Sequence, residues 1–267
     1  MRELHELNIG LALEAAALAR TRRRAGVEVA ASKSSLVDIV TQADRDVERL
    51  VVDRIRAARP DDGILGEEGT SVAGTSGLTW VIDPIDGTVN YFYDIPAYAV
   101  SIALVEGDPD PATWHALSGV VVNAATGERF DALRGEGARL DGRPIRVADA
   151  VPPATALVGT GFGYDAQRRQ RQAAIVQHLI GSVRDIRRIG SAALDLASVA
   201  AGRLNAYYEV GLQPWDLAAG ALIVEEAGGA VRGWQGAPAG SGFLLAAHPA
   251  LADDLLELLS PMPIGEV

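Results

Sequence analysis

The stretch Asp83-Pro84-Ile85-Asp86-Gly87-Thr88 sets two carboxylates three residues apart and follows them with a glycine and a hydroxyl. Two ionised carboxylates held close together repel, and each raises the other's pKa unless a cation lies between them; oxygen-only donors favour Mg2+ or Mn2+. The apolar run Leu78-Thr79-Trp80-Val81-Ile82 reads as a buried strand that delivers Asp83 to its end. Pro84 has no amide to give a sheet ladder and keeps Asp83 extended, so the strand is expected to stop there and the chain to turn, bringing Asp86 back beside Asp83. The competing reading is an Asp-Pro turn followed by ordinary Asp-Gly chemistry, with side chains bonded to nearby amides.

Other acids along the chain bear on that choice. Gly66-Glu67-Glu68-Gly69 follows the apolar Gly63-Ile64-Leu65, and its flanking glycines allow a tight turn that offers a third carboxylate or simply a solvated loop. Asp216 follows Pro214 in the first turn of a helix rich in small residues, where it is either a ligand or a partner of the helix dipole. Thr41 three residues before Asp44 resembles a capping box, although that box prefers Glu or Gln as the acid. Glu209 ends the strand Ala206-Tyr207-Tyr208, facing a site or water. Gly87-Thr88 precedes a short helix through Tyr93, so free amides there are placed to receive phosphate, and the Thr88 hydroxyl to orient a water.

These side chains need a scaffold, and the bulk numbers provide for one. A length of 267 residues with 48% hydrophobic composition fits one large domain or two small ones with a substantial core. Zero cysteines exclude a disulfide scaffold, thiolate catalysis and Cys-ligated zinc. A net charge of -11 opposes nucleic-acid or anionic-membrane binding by counterion release. No apolar stretch approaches the ~20 residues of a membrane span, and Met1 to Glu6 lacks the start of a signal peptide, so a cytoplasmic location is expected.

Leu4, Leu7, Leu11, Ala15 and Leu18 at helical spacing predict a first helix over about residues 2–24, ended by Gly26. A second helix follows Thr41, with Pro60 beyond its end. Strands are expected at 78–83, 100–105, 117–123 and 128–133 as an antiparallel meander. After Pro152-Pro153, strands at 156–161, 183–189, 206–209 and 243–247 alternate with helices near 167–180, from Ser191, after Pro214 and at the end of the chain. The expected division is therefore residues 1–151, carrying the antiparallel sheet and most acids, and residues 152–267, an α/β half that closes the site.

The order and spacing of these motifs resemble the inositol monophosphatase family of Mg2+-dependent, lithium-sensitive sugar phosphatases, most of all its bacterial inositol-1-monophosphatases. The resemblance runs from Lys33 with Asp38 to Asp44, through Gly66-Glu67-Glu68 and Asp83 to Asn90, to Gly190-Ser191-Ala192, Ala206 to Glu209, and Trp215-Asp216 with Glu226 to Gly229. It also takes in Gly159 to Tyr164. It implies a layered αβαβα sandwich of the sugar-phosphatase type, α+β to α/β in class. It implies two or three Mg2+ ions, with Mn2+ a possible substitute: Asp83 bridging two ions, Glu67 and the Ile85 carbonyl on the first, and Asp86 and Asp216 on the second. A third, weaker ion would lie near Glu67. By the same resemblance Asp44 and Thr88 orient the attacking water, and the Gly87 and Thr88 amides hold phosphate. Asp86, Gly190, Ser191, Ala192, Glu209 and Asp216 meet the substrate, and Lys33 lies outside the direct ligands. A homodimer is implied too.

The expected activity is metal-assisted hydrolysis of myo-inositol 1-phosphate or a related sugar phosphate. In such chemistry one ion activates water and another stabilises the leaving alkoxide. Histidinol phosphate, fructose 1,6-bisphosphate and 3'-phosphoadenosine 5'-phosphate are the alternative substrates, while Glu209 favours a polyol because a carboxylate accepts from two hydroxyls. A transcription- or RNA-associated protein is the non-enzymatic alternative, with Arg184, Arg187 and Arg188 as its basic strand; net charge weighs against it and for a subunit contact. Tyr91 to Asp94 depart from the family's usual residues, which is expected to affect the site entrance. His5, His115, His178 and His248 have no clustered spacing and no expected role.

Overall fold

The computed structural model describes residues 1–27, 29–32 and 39–266. Lys33 and Asp38 lie outside the described residues. Helix α1 spans Arg2–Ala25, with Arg22, Arg23 and Arg24 in its last turn where cations complement the dipole. A two-stranded antiparallel ribbon, β1 (Val29–Ser32) and β2 (Ile39–Thr41), leads into α2 (Gln42–Ala58). Next come β3 (Gly63–Gly66), β4 (Ser71–Val72), β5 (Leu78–Asp86) and the short α3 (Thr88–Tyr93). The strands β6 (Ala99–Glu106), β7 (His115–Asn123), β8 (Arg129–Leu133), β9 (Ala138–Leu140) and β10 (Arg143–Pro144) complete the first half.

The second half alternates: β11 (Leu157–Thr160), α4 (Ala166–Leu179), β12 (Asp185–Arg187), α5 (Ala192–Ala200), β13 (Ala206–Glu209) and α6 (Pro214–Glu226). It ends with β14 (Ala230–Arg232), β15 (Leu244–Ala247) and α7 (Pro249–Leu259).

Two sheets form. The larger runs β10-β9-β8-β7-β6-β5-β3-β4 and the smaller β12-β11-β13-β15-β14. The expected meander holds from β5 to β10, while β3 joins β5 in parallel, as a connection through a long loop permits. Helices α1 and α2 cover one face of the larger sheet, where Val47, Val51, Ile55, Trp80, Ile82 and Ile102 pack together. Its other face meets α5 and α6, which also lie against the smaller sheet, and α4 and α7 close the far side. The order is α, β, α, β, α, as the resemblance implied.

The middle helix layer dictates composition. Gly119 on β7 leaves only 2.7 Å between an added Cβ and the Ala219 carbonyl, and a Cβ at Gly220 would stand 2.7 Å from Leu196. Small residues thus let α6 press onto both β7 and α5, so this helix of the second half is built into the core of the first.

Two sequence expectations are corrected. The strand carrying Asp83 does not stop at Pro84: β5 continues to Asp86, its register to β6 shifting between Asp83↔Ser101 and Asp86↔Ala99. The proline is absorbed in a bulge, one of the places where a missing amide costs no ladder bond. The basic strand expected over 183–189 is only Asp185–Arg187. No helix among the described residues is long and apolar enough to cross a membrane.

Candidate active site

The bulge in β5 brings Asp83 and Asp86 to one rim of a cleft of about 500 Å3. Asp216 comes from the first turn of α6, where the Gln213 amide donates to its Oδ2 at 2.7 Å. The bond is the capping arrangement expected of a first-turn acid, but it uses only one oxygen. Oxygens from Asp83, Asp86 and Asp216 all lie within 4.8 Å of one another. Glu67, at the end of β3, lines the same cleft.

Glu67 is set by an acid below it. The buried Glu48 of α2 accepts from the Glu68 amide at 2.8 Å, the Thr70 amide at 3.2 Å and the Thr70 hydroxyl at 2.6 Å. A Cβ at Gly66 would stand 2.5 Å from Glu48 Oε2, so that glycine is what admits the carboxylate beneath the turn.

Asp86 is gripped from the smaller sheet's side. Ser191 Oγ donates to its Oδ2 at 2.6 Å, and the Ala193 amide to the same oxygen at 2.6 Å, with the Ala192 amide also directed at this carboxylate. Gly87 follows with φ +91°, and a Cβ there would lie 2.9 Å from the Ala97 carbonyl and 3.0 Å from that of Gly190. Both its conformation and its surroundings require glycine.

Thr88 Oγ lies 3.0 Å from the Ile85 carbonyl and 3.3 Å from Asp44 Oδ1. Asp44 Oδ2 accepts from the Thr41 amide at 2.8 Å and the Thr41 hydroxyl at 2.5 Å. Asp44 therefore caps α2 with one oxygen and reaches toward the cleft residue Thr88 with the other, so the two readings of this residue are compatible.

The electrostatics are those of acids short of a cation. Burial, then the negative charges of Glu67, Asp86 and Asp216, push Asp83 well above the usual carboxylate range. Burial and the charges of Asp86 and Glu67 do the same to Asp216. Burial lifts Asp86 to about 6 against the pull of Ser191 and the amides, and lifts Asp44 to about 7. Asp83 Oδ1 is buried without a hydrogen-bond partner. Repelling carboxyls, an orphaned oxygen and an all-oxygen donor set fit a hard divalent cation.

The cleft brings together Glu67, Asp83, Ile85, Asp86, Gly87, Thr88, Gly190, Ser191, Ala192, Glu209 and Asp216, all singled out from the sequence. Burial raises Glu209 to about 7, while the Tyr207 hydroxyl donates to its Oε2. Asp195, Arg168 and Arg171, not singled out from the sequence, line the cleft as well, and Arg188, expected in a basic strand, lies on the cleft wall. A signal existed for Asp195, a lone acid in the apolar run of α5. Arg168 had none: it lies across Gly163 and Gly211, where added Cβ atoms would stand 3.1 Å and 2.9 Å from it, a match made only in three dimensions. The departure at Tyr91 does not touch the entrance, because Tyr91 is buried and its hydroxyl donates to the Ala19 carbonyl at 2.9 Å. His5, on the buried face of α1, has a packing role: its Nδ1 lies 2.8 Å from Ser118 Oγ of β7.

Layered αβαβα architecture with acids from β3, β5 and α6 converging on one cleft defines a phosphatase-type fold of the sugar-phosphatase kind. The chain belongs to the inositol monophosphatase family, whose profile matches residues 1–261. It is similar to the inositol-1-monophosphatase SuhB of Mycobacterium tuberculosis, 47% identical over 268 residues that cover 93% of this chain and 90% of that one. It is also similar to the Nus factor SuhB of Xylella fastidiosa, 45% identical over 209 residues covering 78% and 73%. The solved structure of Mycobacterium tuberculosis SuhB superposes with a TM-score of 0.83 at 44% identity, covering 99% of this chain and 98% of that one.

Proposed function

We propose that this protein hydrolyses phosphate monoesters of polyols, with myo-inositol 1-phosphate as the leading substrate, and depends on Mg2+. The observation that carries the reading is the cluster of Asp83, Asp86 and Asp216, with an unpartnered Asp83 oxygen, in the same cleft as the Gly87-Thr88 turn. Asp83, Asp86, Asp216, Glu67 and the Ile85 carbonyl would hold the metal. Bound there, Mg2+ supplies Lewis-acid activation of water and charge neutralisation for the leaving oxygen.

The chain's own groups do the positioning. Thr88 has one hydroxyl proton to give to Ile85 or Asp44, which leaves its lone pairs to fix a water opposite the phosphate. Burial pushes Asp44 up to about 7, which suits its Oδ1 to take a proton by way of Thr88. The amides of Gly87 and Thr88 are placed to receive phosphate oxygens, and Glu209 accepts from hydroxyls of the alcohol. Most of the acceleration would come from orientation and charge neutralisation, since phosphoryl transfer leaves little covalent work for side chains.

The test is phosphate release from myo-inositol 1-phosphate, histidinol phosphate, fructose 1,6-bisphosphate and 3'-phosphoadenosine 5'-phosphate with Mg2+ and with EDTA. Preference for the inositol ester and silence with EDTA are expected; equal rates on all four would refute the substrate assignment. The Nus-factor name of a relative motivates a second reading, an RNA-associated role. Arg187 is paired with Asp185 at 2.5 Å, which lowers its value as a phosphate contact. An RNA complex that survives Asp83→Asn and fails in Arg187→Ala would favour that reading.

A further inference from the structure

Helix α5 reads Ala-Ala-Leu-Asp-Leu-Ala-Ser-Val-Ala, and Asp195 is its one charged residue. It is 1% exposed, yet lies on the wall of the cleft. Its Oδ1 has no hydrogen-bond partner. That oxygen would stand 2.8 Å from a Cβ at Gly159, so the glycine makes room for it, and the ring of Tyr207 packs at the same place, 3.3 Å from that Cβ. Tyr207 turns its hydroxyl to Glu209, whose carboxylate occupies the space a Cβ at Gly161 would need. Two glycines of β11 and its following loop thus admit two carboxyls to one cleft, both within reach of the charge of Asp86.

Oδ1 packs among Gly159, Leu204 and Tyr207, none of which lines the cleft, so it is the other edge of the Asp195 carboxyl that a ligand meets. A buried carboxyl without a hydrogen bond is costly, and beside a ligand cleft such a group commonly finds its partner in the ligand. Burial and the charges of Glu209 and Asp86 hold Asp195 well above the usual carboxylate range against the opposing pull of Arg188. A protonated carboxyl donates as well as accepts, an ionised one accepts, and a hydroxyl does both, so two carboxyls can meet hydroxyls in either sense. We propose that Asp195 is a specificity residue: together with Glu209 it forms a two-carboxyl floor that reads the hydroxyls of the leaving alcohol and selects polyols over alcohols without them. The inference rests on the phosphomonoesterase reading above and adds Asp195 to it.

The Mg2+-loaded protein is to be assayed with myo-inositol 1-phosphate and with 4-nitrophenyl phosphate, whose leaving group carries no hydroxyl. Inhibition of the second reaction by free myo-inositol gives a binding readout. In Asp195→Ala the ratio of kcat/KM between the inositol ester and the aryl ester should fall by about tenfold, mainly through KM, with myo-inositol inhibition weakened alike. Asp195→Asn keeps the volume and one donor, so its ratio should fall only about threefold. Circular dichroism and Tm select the variants that fold, and either one suffices. A folded variant that loses both substrates by the same factor, or neither, overturns the role of Asp195 alone. Wild-type protein that cleaves the aryl ester, ignores the inositol ester and is not inhibited by myo-inositol overturns the proposed function along with it.

Discussion

Ser191 Oγ donates to Asp86 Oδ2 at 2.6 Å, tying the start of α5 to the bulge of β5. The same hydroxyl oxygen accepts from the Leu194 amide at 3.3 Å as the helix N-cap. One side chain therefore serves both the helix end and the carboxylate. Ser191→Ala removes both bonds and should cost about 1–2 kcal/mol of stability, with turnover down about tenfold as Asp86 loses its orientation. Ser191→Thr, which can make both, should restore most of each. Thermal melts and initial rates on the two variants check this; an Ala variant with wild-type Tm would show that Ser191 is dispensable.

Asp83 has opposite effects with and without metal. In the metal-free protein it is a buried carboxyl surrounded by Glu67, Asp86 and Asp216, and its neutral replacement in Asp83→Asn relieves repulsion. Metal-free Asp83→Asn should therefore melt no lower than wild type, while the proposed Mg2+-dependent activity should drop by about a thousandfold or more, one charge of the proposed metal-holding set being gone. Mg2+ should raise the Tm of wild type and leave the variant nearly unmoved. Retained turnover in Asp83→Asn would refute the proposal that Asp83 holds metal.

What the sequence made legible divides along a physical line. Helices α1, α2 and α6 were readable from local signals: periodic Leu and Ala, a Thr cap, Pro at the first helical position. So were Glu67, Asp83, Asp86 and Asp216, because these stand beside the local breakers Gly66, Pro84, Gly87 and Pro214; Asp195, inside the apolar run of α5, does not. The parallel pairing of β3 with β5 was not, since strand neighbours far apart in sequence leave no local mark. Short strands such as β9, β10 and β14 are too brief for any periodicity to register. Glu48 illustrates the remainder: on a helical wheel it is another acid, and only the close approach of Gly66 makes it the support of the Glu67 turn.

The pH dependence of the metal-free protein should run opposite to ordinary acid denaturation. Glu209 sits at about 7 against an ordinary 4.5, and Asp44 at about 7 against 3.8, both raised by burial. Between pH 5 and pH 8 the folded state keeps protons that the unfolded chain has already lost, so stability is greatest at the low end and falls as pH rises through 7. Acids with lowered pKa, such as Glu14 and Glu128, lose their contribution only below that window. In EDTA the Tm should therefore fall by about 5 °C between pH 5 and pH 8, and Mg2+ should offset the loss most at pH 8, where the ligands are ionised. A flat or rising profile in EDTA would show that these acids are ionised in the folded protein.

Glu48 offers the sharpest separation of support from chemistry. It lies beneath the turn that carries Glu67 and satisfies the Glu68 amide and both polar groups of Thr70. Glu48→Ala leaves those donors without a partner and opens a gap next to Gly66, which should cost about 2–3 kcal/mol. Glu48→Gln keeps the volume and one acceptor, and should cost about half as much. If Glu67 holds metal, its loosened turn should raise the Mg2+ concentration for half-maximal rate about tenfold, as loss of a supporting residue behind a ligand does, with the rate at saturating Mg2+ largely kept. Melting curves and Mg2+ titrations of the same preparations separate the two effects. A variant that loses stability while its Mg2+ dependence stays at the wild-type value would place Glu67 outside the metal-holding set.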